Sequence, residues 1–103
     1  MEAVGFLEVY GCVAAFVAAD AACKAGDVHI DAIDKNKPAN ADALPVPLIV
    51  MIKFRGSISD VRAAVEAAKQ RALELAGVVA THEIASPEED TEKMLKLSGM
   101  DKV

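Results

Sequence analysis

"LIVMIKFRGSISDVRAAVEAAKQRALELAGVVATHEI", residues 48–84, decides the fold class of this chain. Its first part, 48–56, is a β-rich run closed by Gly56. Residues 57–77 then follow a helical period: Val61, Ala64, Val65, Ala68, Ala72 and Leu75 form an inner stripe. Arg62, Glu66, Lys69, Gln70 and Glu74 occupy the other face, and Ser57 or Ser59 supplies the N-cap. Residues 78–84 return to a strand pattern. The unit is strand–helix–strand.

Upstream, the same unit is repeated. "EAVGFLEVYG" (2–11) alternates and reads as a strand. "CVAAFVAADAACKAG" (12–26) reads as a helix that stops at Gly26. Its only charges are Asp20 and Lys24, so it is apolar nearly all round and predicts burial on a second side, by another subunit. "DVHIDAID" (27–34) reads as a half-buried strand. Downstream, "SPEEDTEKMLKL" (86–97) predicts a short helix with Pro87 at its first position and three acids in its first turn. The order β-α-β-β-α-β plus a terminal helix places the chain in the α+β class, a ferredoxin-like variant with helices on one face of an antiparallel sheet. Residues 1–97 make one domain and 98–103 a frayed tail.

One connection breaks the economy of this plan. A β–β link is usually about two to five residues, yet "NKPANADALPVP" (36–47) carries three prolines and runs to about a dozen. Prolines restrict the backbone and remove N–H donors, while Asn40 and Asp42 supply polar tips. Such an excess calls for a functional or an assembly reason.

Composition narrows the function. The net charge of −5 argues against nucleic acid, which selects a basic footprint. Hydrophobic residues make up 53% but aromatic residues only 4%, so the apolar content is mostly alanine and valine. That suits close packing of elements or subunits better than an aromatic-lined ligand pocket. The uncharged run Val9–Ala19 falls short of the roughly 20 residues that span a bilayer. Glu2 and Glu8 stand where a signal peptide would be basic, so a cytosolic location is expected.

Catalytic chemistry is sparse. No glycine-rich phosphate loop is present. Cys12 and Cys23 fall on one helix about 16 Å apart, too far for a disulfide, and read as small buried hydrophobes. His29 and His82 sit singly in strands, without ligand spacing to the cysteines, and read as structural histidines. Asp31 and Asp34 flank the connector, either lining an opening or occupying a solvated strand edge. Without a nucleophile–base pair, the chain reads as a non-enzyme.

Taken together these residues resemble a bacterial microcompartment shell protein of the single-domain, hexamer-forming kind. The likeness is carried by "MEAVGFLEVYG" at the opening strand and "AADAACKAGDVHI" at the first helix end. It continues through "RGSISDVRAAVEAA" at the second helix and "THEIASPEEDTEKML" at the close. The resemblance implies a cyclic homohexamer that tiles with other shell proteins, with a pore for small metabolites on the six-fold axis. It places Pro38, Ala39, Asn40, Ala41, Asp42 and Ala43 at the pore and Lys24 and Ser86 at the hexamer edge. The family's proline–arginine–proline edge motif reads "ASP" (85–87) here, so Ser86 replaces an arginine and flat tiling is expected to be weak. The long loop resembles a divergent branch, the glycyl-radical propanediol type, associated with an iron–sulfur cluster in its pore. The connector has no cysteine, so no cluster is expected for this sequence, and Ala41 is the position at which a substituted ligand would serve. A pore carrying an electron-transfer centre is one alternative. A trimeric nucleotide-binding signalling protein of ferredoxin-like order is another, but it would need basic phosphate contacts, and only Lys35 and Lys37 are near the loop.

Overall fold

The computed structural model describes residues 2–37, 39–44 and 46–96. Pro38, Pro45, the last residue of the expected terminal helix (Leu97) and the 98–103 tail lie outside the described residues. The elements are β1 (Ala3–Tyr10), α1 (Cys12–Ala25), β2 (Val28–Asn36), β3 (Ile49–Gly56), α2 (Ile58–Leu75), β4 (Val78–Ile84) and α3 (Glu89–Leu95). A single 3₁₀ turn, Ala41–Ala43, lies in the connector. The four strands form one antiparallel sheet in the order β2-β3-β1-β4. This is the α+β arrangement expected.

Strand alternation builds the core. Ala3, Leu7 and Val9 of β1 and Val50, Ile52 and Phe54 of β3 join the buried faces of α1 and α2. Each buried residue of α1 is an alanine: 14, 15, 18, 19 and 22. On α2 the buried set is Val61, Ala64, Val65, Ala68 and Ala72. Small residues on both helices let their axes come close, and Gly26 and Asp27, just past the end of α1, meet the start of α2, where the Asp27 N–H donates to the Asp60 carboxylate at 3.2 Å. There a Cβ on Gly26 would collide with the backbone carbonyl of Asp60. Ser57 is the N-cap of α2, its hydroxyl accepting from the Asp60 N–H at 3.2 Å.

Several expectations are corrected. Leu75 is exposed, because the stripe leaves the sheet at the last turn of α2. Cys23 is exposed and Cys12 half-buried, since α1 turns only its alanine face to α2. His29 and His82 are both exposed, on the two edge strands. β2 runs on to Asn36, so the connector occupies 37–48. The terminal helix starts at Glu89, not near Ser86. Pro87 is buried ahead of it, and the Glu88 carboxylate takes the cap by accepting the Asp90 N–H at 2.8 Å.

The opposite face of the sheet is covered in a different way. Lys53 and Arg55 alternate with Ile52 and Phe54 on β3, yet they are only 6% and 7% exposed. Arg55 donates to both carboxylate oxygens of Glu92, and its Nη2 also reaches the carbonyl of Glu2 at 3.2 Å. Lys53 bonds the carbonyl of Leu95 and pairs with Asp34. Two buried cations thus hold α3 against β3.

Candidate functional site

The connector leaves the sheet at Asn36, which pairs with Ile49, and Ile49 pairs in turn with Tyr10. The C-terminal end of β1 therefore stands beside it. Gly11, at φ 88°, donates its N–H to the Leu48 carbonyl at 2.9 Å, a left-handed conformation that favours glycine. Val46 lies directly over this glycine. Within the connector, Ala43 N–H bonds Asn40 C=O and Leu44 N–H bonds Ala41 C=O, which closes the 3₁₀ turn. The turn points its residues in two directions. Ala41 is 4% exposed within the single chain, whereas Ala39, Asn40, Asp42 and Ala43 are exposed.

Lys24 and Ser86 lie at the other end of the sheet. Lys24 precedes Val28, which pairs with Gly56, and Ser86 follows Ile84, which pairs with Val4. The eight residues of β3 that separate the two ends span roughly 25 Å. Lys24 is exposed and forms an i,i+4 ion pair with Asp20 at 2.7 Å. Ser86 is exposed in the turn before α3. Of the two aspartates flanking the connector, Asp34 is tied to Lys53 at 2.9 Å and Asp31 is exposed beside the bulge in β2.

The foot of the connector also borders an open apolar groove of about 360 Å³, lined by Tyr10, Cys12, Val13, Val46, Leu75 and Ala76. Val13 in its lining and Phe16 one turn further along α1 are 77% and 66% exposed. Among the described residues, no three His, Cys, Asp or Glu side chains come together in a way that could hold a metal ion. No helix there is long and apolar enough to cross a membrane. Electrostatically the clearest perturbation is the α3 clamp. The Arg55 hydrogen bonds hold the Glu92 carboxyl below its ordinary value, and Glu92 in turn raises Arg55.

The BMC domain model matches residues 3–87, which takes in both βα units, the connector and the turn holding Ser86. The chain belongs to the BMC-domain family. Two relatives of this BMC domain are the bacterial microcompartment shell proteins PduA of Citrobacter freundii and of Salmonella typhimurium. Each is 33% identical over 94 residues, which cover 91% of this chain. They cover 91% of the Citrobacter protein and 90% of the Salmonella one. A solved microcompartment protein from Desulfitobacterium hafniense DCB shares the fold with a TM-score of 0.69, at 22% identity over 93% of this chain. The BMC domain here spans about half of that solved chain, 47%.

Sequence reasoning located the connector but missed two features of the BMC domain. The groove with Val13 and Phe16 was foreshadowed only by the all-round apolar character of α1. The buried cations had a clearer signal: Lys53 and Arg55 two apart within an apolar strand, a spacing that puts both on one face.

Proposed function

We propose that this chain is a structural, non-catalytic shell protein of a bacterial microcompartment in the cytoplasm, assembling as a cyclic homohexamer. The observation that carries this reading is the match to shell proteins over nearly the full length of both chains. The arrangement of the sheet supports it. The connector and the pair Lys24 and Ser86 occupy opposite ends, as a central opening and an outer edge require. An apolar face on α1, exposed in one chain, supplies surface for a neighbouring copy. Heterologous contacts of this kind close into rings when the rotation permits.

In this reading, residues 37–48 line an opening for small metabolites, with Ala39, Asn40, Asp42 and Ala43 presented to it. Lys24 and Ser86 meet other shell hexamers at the edge. The chain as it stands holds no iron–sulfur cluster, because its cysteines are on α1 and the connector offers only oxygen and amide groups, which are poor cluster ligands. Native mass spectrometry at micromolar concentration tests the assembly. Six chains are expected, and a stable monomer or trimer sinks the proposal.

A further inference from the structure

Lys53 joins two parts of the chain that are far apart in sequence. Its ammonium lies 2.9 Å from the carboxylate of Asp34 and 3.2 Å from the carbonyl oxygen of Leu95. Asp34 stands two residues before the end of β2, at the root of the connector, and Leu95 is the last residue of α3. A lysine is almost never buried without partners. The carbonyl end of a helix is a favourable place for a cation, because the unbonded carbonyls there carry negative partial charge. Arg55 on the same face of β3 grips Glu92 one turn earlier along α3. With seven residues, α3 is too short to persist as an isolated helix. Its helical state therefore stands or falls with its docking.

We propose that Lys53 is a positioning residue that couples docking of the terminal helix to the conformation of the connector. With α3 in place, the ammonium is screened from water and held between the Leu95 carbonyl and Asp34. Its attraction for Asp34 is then strong, since little water lies between or around the charges. Asp34 in turn fixes the end of β2, an edge strand whose one partner in the sheet is β3. When α3 leaves, Lys53 loses the carbonyl and gains water, and the pair with Asp34 weakens to that of an exposed ion pair. The end of β2 and the 3₁₀ turn beyond it then loosen together. Such coupling is reciprocal: whatever binds the ordered connector favours docked α3 by the same factor. That the connector lines an opening rests on the function proposed above, whereas the coupling lies within one chain.

Hydrogen–deuterium exchange of the full chain reads both ends, in peptides covering 37–48 and 89–95. Glu92→Gln weakens the Arg55 grip on α3 without touching Lys53, Asp34 or the connector. It is expected to speed exchange in 89–95 and also in 37–48, the latter by about fivefold or more, the lower end of typical coupling between sites. In a Lys53→Met background, Glu92→Gln should still speed 89–95 but add nothing in 37–48. Asp34→Asn cuts the same link and replaces Lys53→Met if that variant fails to fold. The proposal is overturned if Glu92→Gln leaves 37–48 unchanged in the native background, or speeds it equally in both. Native mass taken on the same samples tests the hexamer separately, so either reading can fail without the other.

Discussion

Arg55 and Glu92 form a two-pronged ion pair between β3 and α3, with Nη1 of the arginine 3.0 Å from one carboxylate oxygen and Nη2 bonded to the other. The arginine is buried and the glutamate partly so, and the geometry makes the bond directional as well as charged. Glu92 is held below its ordinary value, chiefly by the Arg55 hydrogen bonds, so the folded state favours its ionised form. The stabilisation is then complete above the ordinary glutamate range and is lost as pH falls through the lowered folded value. Arg55 stays charged throughout. Glu92→Gln should lower the melting temperature at pH 7, and the gap from the parent should close as pH falls below the carboxylate range. A gap that is constant with pH would show that the carboxylate charge is not what matters.

Gly26 needs space and not conformational freedom. Its extended backbone, φ −141°, suits any residue. A Cβ there would meet the backbone carbonyl of Asp60, which cannot swing aside as a side chain can. Gly26→Ala should therefore cost about 1–3 kcal/mol by forcing α1 and α2 apart. Urea denaturation with an unchanged slope is the measurement, and a neutral result would mean that the helix ends separate freely.

Phe16 exposes most of its ring in the single chain and sits one turn from the apolar groove. In the proposed hexamer it is buried by a neighbour. Phe16→Glu places a charge there and is expected to yield monomers by native mass while circular dichroism stays unchanged. A hexamer of undiminished stability would move the subunit interface away from α1.

The two directions of the 3₁₀ turn set apart neighbouring positions of the connector. Asn40 is exposed and Ala41 is turned inward. A thiol-reactive dye should label Asn40→Cys at least about tenfold faster than Ala41→Cys, because labelling at a buried site waits for local opening. The same contrast makes Asn40 the better position for a converging ring of thiolates. Anaerobic reconstitution with iron and sulfide should colour Asn40→Cys brown and leave the unmodified protein colourless. Equal labelling of the two thiols would remove the inward assignment of Ala41.

Ser86 offers a short hydroxyl where the resembled edge motif has an arginine. Ser86→Arg is expected to promote ordered sheets or tubes in electron micrographs. If the unmodified chain already forms extensive sheets, the side chain at 86 does not limit tiling.

Periodicity by itself determined the order of elements and the inner stripe of α2 from Val61 to Ala72, because the repeats of 2.0 and 3.6 residues follow from backbone geometry. Proline content and length likewise marked the connector to within a residue at each end. What periodicity reports is which residues share a face, and not whether anything covers that face. Leu75 continues the stripe of α2 but lies past the edge of the sheet, so it is exposed, and Cys23 is on the uncovered side of α1. Lys53 and Arg55 are buried because a helix some forty positions later brings Leu95 and Glu92 over them. The inward turn of Ala41 likewise depends on where Gly11 and Leu48 anchor the loop. Burial of charge and the direction of a loop are settled by partners distant in sequence, and only the tertiary structure brings those partners together.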